Sequence, residues 1–517
     1  MNFVTFDFLL FFAIAAAVYY VIPKKFQWMV LLAASVWFYG QAGAGMLVFP
    51  ILAAAVTYLA ALAIGWVNER QKAASEGLTR EERKAVRSRY SRIKTLICAL
   101  AVAITLGILA VVKYGSFLLG ILSRGTAVSF VLPLGISFYT FQSIGYCIDV
   151  NRGVCQPEKN PFKYALYVMY FPQILQGPIG KYTDLAPQLF EAHCFDYDDV
   201  MYGIQRILWG FFKKLVVAER AAVLANAVFD NWQDYQGLYV ALAVLSYAVQ
   251  LYADFSGYMD IALGVSQVFG IRLSENFETP YFSRSIAEFW RRWHISLGAW
   301  FRDYLFYSLM RTAAWSRLQK QCKKLPRKLG KDIPTVCALA VVWVSIGLWH
   351  GAAWKFVAYG IYHGGMIILA QLFMPATDWL TRKLRIRTDT DSWKLFQMLR
   401  TFLLVCLGYL LFRGGSLQAA AGMFTNMFAV FNPWILGGQL LPSLGLDGAN
   451  SAILLLGVGL MLGVDICNEK GIVVRRWIGR QQLWLRWCVY LAGFFAVLLF
   501  GWYGTGYEAG AFIYFQF

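Results

Sequence analysis

The chain has 517 residues, 59% of them hydrophobic and 15% charged, a balance far from that of soluble domains in both respects. Apolar runs near the length of a bilayer span recur from end to end, which excludes a soluble globular protein and indicates an all-α, polytopic membrane protein of about 11–13 spans. The formal net charge of +18 gathers in short segments between those runs, so it reads as cytoplasmic loops beside anionic lipid and not as a nucleic-acid surface.

The first run, residues 3–22, has no basic leader and no small-residue cleavage site, so it reads as a retained span and not a signal peptide. Lys24-Lys25 follows, then runs at 26–39 and 46–67, then a basic segment at 68–94. Both basic pieces belong in the cytoplasm on the positive-inside rule, which puts the N-terminus outside. The next pair is 95–122 and 129–150. The second of these holds Pro133-Leu134-Gly135 and Asp149 and is not expected to be a plain helix. The run 164–179 ends in Pro172-Gln173-Ile174-Leu175-Gln176-Gly177-Pro178, a pattern that predicts a re-entrant or broken element. His193 follows among Asp196, Asp198 and Asp199, where solvation or packing explains it better than chemistry does.

Residues 200–217 carry Arg206 and Lys213-Lys214 among aromatics, as a helix lying partly in the membrane interface would. The long run 238–270 contains Asp254 and Asp260, carboxylates that serve either interhelical packing or the surroundings of a site. Residues 285–310 read as one amphipathic helix. At about 100° per residue, Phe289, Trp290, Trp293, Leu297, Trp300, Phe301 and Tyr304 share an arc. Glu288, Arg291, Arg292, Arg302 and Asp303 share the opposite one, and Glu288 precedes Arg292 in the favourable direction for a helix ion pair. His294 lies on the apolar arc and is expected to point into protein, as a cap for buried backbone or as part of a site.

Segment 316–331 carries seven basic residues and no acid. Basic loops recur at 381–394 and 470–486. Between the first two lies the stretch 338–362, broken near its middle by Leu348-Trp349-His350-Gly351. A histidine at membrane depth is costly and marks function by default. Its glycine neighbours Gly347 and Gly351 signal irregular chain, which in lipid must be sheltered by protein or line a wet cavity. His363, in Tyr362-His363-Gly364, follows. Runs at 396–412, 416–434, 452–466 and 487–503 complete the chain. None of the nine cysteines forms a CxxC pair or approaches a histidine at zinc spacing, so no metal is expected.

There is no Walker loop, dinucleotide fingerprint, HExxH or nucleophile elbow. What remains is His294 and His350 in a setting of Trp, Tyr and Arg. A neutral imidazole kept from water can act as general base on a hydroxyl, a role worth about 10²–10⁴ in rate. A second histidine can orient the first or donate to an oxyanion. A thioester suits as acyl donor because its thiolate, from a thiol of pKa about 8.5, leaves without strong acid assistance. A transporter or flippase would also use broken helices around a polar residue at mid-depth, but no inverted repeat is evident. A scaffold without chemistry does not account for two inward histidines in a chain holding four.

The motif Phe289-Trp290-Arg291-Arg292-Trp293-His294-Ile295-Ser296-Leu297, with Trp300-Phe301-Arg302-Asp303-Tyr304, resembles the signature of the membrane-bound O-acyltransferases. So do Gly347-Leu348-Trp349-His350-Gly351-Ala352, Pro133-Leu134-Gly135-Ile136-Ser137-Phe138-Tyr139-Thr140-Phe141-Gln142, Asp254-Phe255-Ser256-Gly257-Tyr258, and Phe171-Pro172-Gln173 with Gly177-Pro178-Ile179. The likeness runs from about Phe3 to the C-terminus. It points to the bacterial branch holding alginate and peptidoglycan O-acetyltransferases and the D-alanyl transfer protein of teichoic acids. The closing Phe512-Ile513-Tyr514-Phe515-Gln516-Phe517 looks more like the O-acetyltransferases.

The resemblance implies a ring of spans and broken helices around a thinned centre, with a funnel to each face. His350 would be the catalytic histidine and His294 the second active-site histidine, with Trp349, Trp290, Arg291, Asp254, Gln142 and Gln173 lining substrate or funnel. No cofactor would be bound. The donor would reach the cytoplasmic side as acetyl-CoA, or as a carrier-protein thioester in the D-alanyl case. The acyl group would leave on the other face, to a periplasmic or extracellular partner acetyltransferase and an envelope polysaccharide. The site would be the bacterial cytoplasmic membrane, with membrane lipids and no nucleic acid as further partners. The expected organisation is 1–94 as N-terminal spans and basic segment, 95–380 as catalytic core, and 381–517 as a basic loop with additional spans.

Overall fold

The computed structural model describes residues 2–122, 133–437 and 440–503, and among them the secondary structure is helix with no strand. The start of the expected 129–150 run and the closing hexapeptide 512–517 lie outside the described residues. Among the described residues, eight helices are long and apolar enough to cross a membrane: Ala44–Ala73, Arg80–Gly115, Leu238–Val268, Asp332–His350, Trp354–Lys383, Asp391–Arg413, Gly448–Glu469 and Leu483–Phe500. Phe6–Val21 is apolar but shorter.

Among the described residues the count is below 11–13 because some expected spans form short helices and one is broken into pieces. Residues 26–39 give the 14-residue helix Gln27–Gly40. Residues 164–179 give Pro161–Met169 and Phe171–Ile174, separated at Tyr170, whose ψ of 113° is not helical. Pro172 sits in the first turn of the second piece, where its missing N–H costs nothing.

The chain forms two compact units. The first comprises Met1–Ile204 with Ala262–Ser274, and the second Gln205–Ile261 with Glu275–Phe517. In the first, Phe8, Phe11, Phe38 and Phe171 pack ring against ring. Asn160 caps the Pro161–Met169 helix by accepting from the Phe162 and Lys163 amides, groups that the helix itself cannot satisfy.

The second unit holds the elements that matter below: α1 (Leu238–Val268, up to Ile261), α2 (Ile286–Arg292), α3 (Ile295–Trp300), α4 (Arg327–His350), α5 (Trp354–Lys383), α6 (Asp391–Arg413) and α7 (Gly448–Glu469). Side chains of Ser285 and Thr390 cap α2 and α6, and Asp447 caps α7. α4 and α5 are joined only through Gly351–Ala353 and lie backbone to backbone. A Cβ built on Gly360 would strike the Trp343 carbonyl, and one on Gly347 the Phe356 carbonyl, so glycine at both positions permits the approach. Gly360→Val is expected to cost about 1–3 kcal/mol through overpacking, seen as a lower midpoint of thermal unfolding in detergent. An unchanged midpoint would mean the two backbones are not in contact.

The single amphipathic helix expected over 285–310 is not formed. α2 stops at Trp293, whose backbone is extended, and His294 follows in the left-handed region at φ 47°, ψ 53°. α3 starts after it, and a π-helical turn over Phe301–Phe306 leads to Tyr307–Met310. The cause is a tertiary pairing that a helical wheel does not contain. Trp293 bridges Phe277, the Glu278 amide donates to the Arg292 carbonyl at 3.0 Å, and the Ile295 amide donates to the Asn276 carbonyl at 3.1 Å.

Residues 200–217 also differ from the interfacial helix expected. The chain passes from Tyr197–Phe211 into a π-helical turn, Phe212–Ala218, and Lys213 and Lys214 are buried there. They find carboxylates on α1. Lys214 pairs with Asp254 at 2.6 Å and with Glu219 at 2.6 Å. Lys213 pairs with Asp260 at 2.5 Å and donates to Ser256 Oγ at 2.8 Å. Arg206 completes the cluster, 2.8 Å from Asp260 and 2.5 Å from Glu275.

Candidate active site

His350 is the last residue of α4 and is 4% exposed. Helix carries it to the point where Gly351 turns the chain extended, so its backbone is held on one side and released on the other. Rings surround it: Trp349 at 4.9 Å between centroids, Tyr359 of α5 at 5.7 Å, and Phe412 of α6 at 5.1 Å. Three helices thus build the walls, and the edge-on geometry of these contacts suits the aromatic quadrupoles.

Trp349 joins the two histidines the sequence singles out. Its ring lies 5.7 Å from that of His294, which is 1% exposed and packs edge-on against Phe255 of α1 at 4.8 Å. His294 stands outside the eight candidate spans, and burial pushes its pKa down to about 3. Burial thus favours the neutral form of the ring. A non-glycine residue in the left-handed region stores strain, which persists where surrounding structure over-determines it and is common at active sites. Here the over-determination comes from Asn276, whose side-chain amide meets His294 Nδ1 and whose carbonyl accepts from Ile295.

His363 is fully buried, one face of α5 further on, and its ring lies 4.5 Å from Tyr359 and 5.2 Å from Trp290. Its two nitrogens have no hydrogen-bond partner among the described residues. Trp290, half-buried, also touches Trp343 and Tyr359. His294, Trp349, His350, Tyr359, His363 and Trp290 thus make one continuous series of ring contacts.

Other residues named from sequence fall elsewhere. Arg291 is exposed on α2. Asp254 is buried in its ion pair with Lys214. Gln142 and Gln173 belong to the first unit, where each ties down backbone: Gln142 Nε2 donates to the Tyr167 carbonyl and Gln173 Nε2 to the Pro178 carbonyl, both at 2.6 Å. His193, in the same unit, is held by Gln27 and by the Gln188 carbonyl. Sequence reasoning missed Asn276, Tyr359 and Phe412. Tyr359 was within reach, since it stands four residues before His363 on one helix face. Nothing local marks Asn276 or Phe412, because their neighbours at the site come from distant segments.

Comparison with known proteins gives a match to the membrane-bound O-acyltransferase family model over residues 158–407, a range that contains every residue of this ring series. A probable alginate O-acetylase of Azotobacter vinelandii is 34% identical over 449 residues, covering 83% of this chain and 77% of that protein. A peptidoglycan O-acetyltransferase of Helicobacter pylori is 31% identical, over 57% of each chain. A teichoic acid D-alanyltransferase of Bacillus subtilis is 29% identical, over 54% of this chain and 68% of its own.

Proposed function

Because this chain belongs to the membrane-bound O-acyltransferase family, we propose that it takes an acetyl group from acetyl-CoA at the cytoplasmic face and delivers it toward an envelope polysaccharide, directly or through a partner acetyltransferase on the far side. The enzyme is an acyltransferase; donor, acceptor and residue roles are the content of the proposal. The observation that carries the roles is the placement of Trp349 between two buried histidines.

In this reading a His350 nitrogen takes the proton of the acceptor hydroxyl, and the oxygen attacks the thioester carbonyl carbon. The C–O bond forms and the C–S bond breaks. The thiolate departs and recovers the proton from the imidazolium. His294 stabilises the negative oxygen of the intermediate from beside Trp349, a contribution typically worth about 10²–10³ in rate. The aromatic walls keep water from competing as acceptor.

D-alanyl transfer from a carrier-protein thioester is the second reading. The alginate O-acetylase likeness extends over 83% of the chain and the D-alanyltransferase likeness over 54%, which favours acetyl. The same reading puts the chain in the bacterial cytoplasmic membrane, with basic segments 68–94, 316–331, 381–394 and 470–486 inside and the N-terminus outside.

The test uses the full chain in liposomes with acetyl-labelled CoA, scored for label passing to an added polysaccharide or partner protein, or for slow thioester hydrolysis. Turnover with acetyl-CoA and none with a D-alanyl carrier protein is expected. Turnover only with the D-alanyl thioester would reverse the choice of donor.

A further inference from the structure

In the neutral ring that burial favours at His294, one nitrogen carries a proton and the other a lone pair. Which is which decides whether the histidine can take a proton from substrate or only offer one. Asn276, buried beside it, answers through the hydrogens it has available.

The backbone N–H of Ser296 is an obligate donor and lies 3.0 Å from one amide atom of Asn276, which must therefore be the carbonyl oxygen Oδ1. The Ser296 hydroxyl donates to the same oxygen at 3.0 Å. Two donors use both lone pairs of Oδ1. The amide nitrogen Nδ2 then has two hydrogens to place, and its neighbours are the Met259 thioether at 3.4 Å and His294 Nδ1 at 3.2 Å. Both can accept. A proton on Nδ1 would face this N–H head-on, and the Asn276 oxygen beside it, at 3.3 Å, is already filled.

We infer that Asn276 is a positioning residue that fixes His294 in the Nε2-protonated tautomer, so that His294 acts on the substrate as a hydrogen-bond donor and the base is His350. This rests on the acyl-transfer reading for what the donor serves, but not for the tautomer itself. The left-handed turn at His294 belongs to the same device, since the Ile295 amide is tied to the Asn276 carbonyl. One asparagine thereby holds the backbone on which the ring is mounted and the nitrogen by which it is oriented.

The chain has four histidines, so protein labelled with ¹⁵N-histidine gives a spectrum of four rings, and loss of one set of signals in His294→Gln assigns the ring. His294 is expected to show a protonated Nε2 and a bare Nδ1. Asn276→Asp replaces the N–H donor by a carboxylate, which should move the proton to Nδ1. It should also lower kcat by about 10–100-fold, the usual cost of losing an orienting partner, with the donor KM little changed and a new acidic limb in the pH profile. A wild-type ring protonated on Nδ1, or Asn276→Asp with unchanged kcat and pH profile, would overturn the inference. The nitrogen spectrum reads the tautomer whatever the reaction, so failure of acetyl transfer and failure of this inference are told apart.

Discussion

Replacing His350 by alanine should lower acyl transfer by about 10²–10⁴-fold, the range a positioned general base contributes, while the protein still folds. The second half of that expectation follows from the position of the residue. His350 ends α4, and alanine there preserves the helix and its Gly351 exit. The lost ring opens a gap against Trp349, Tyr359 and Phe412, so thermal unfolding should shift down modestly. The informative quantity is the ratio of the two effects: a small change in midpoint against a loss of turnover of two or more orders of magnitude. Full turnover in His350→Ala would end its assignment as base.

The largest effect on stability is expected at Asp260. This carboxylate is the partner of both Arg206 and Lys213. In Asp260→Ala, Arg206 keeps Glu275, but buried Lys213 loses the carboxylate it pairs with and keeps the Ser256 hydroxyl and the face of Trp209. Removing one side of a buried ion pair costs about 3–5 kcal/mol, because the remaining charge is not compensated. Removing both sides is far gentler, so Lys213→Met combined with Asp260→Leu should recover most of the loss in the same unfolding measurement. If the double variant is no better than Asp260→Ala, the two side chains do not act as a pair.

What could be read in advance divides along a physical line. His350 stood out because glycines flank a polar residue inside an apolar run, and all of that information is local. The burial of His294 was legible for the same reason, from the apolar arc it shares with Trp290 and Leu297. The path of the backbone through His294 was not, since the pairing that interrupts the helix involves Asn276, Phe277 and Glu278, outside the window any wheel inspects. Lys213 and Lys214 looked interfacial because a lysine among aromatics usually reaches for water. Only the fold brings Asp254 and Asp260 close enough to hold them inside. The re-entrant reading of 164–179 followed from its prolines, and two short helices are found there.

The left-handed turn at position 294 makes that position selective twice over. Among side chains able to hydrogen-bond, histidine, asparagine and aspartate are the ones that enter this backbone region most readily, whereas a β-branched or bulky apolar residue would have to unmake the turn. A saturation library at codon 294 therefore sorts first on whether the polypeptide can bend there at all, and only among the survivors on what the new group does to the reaction.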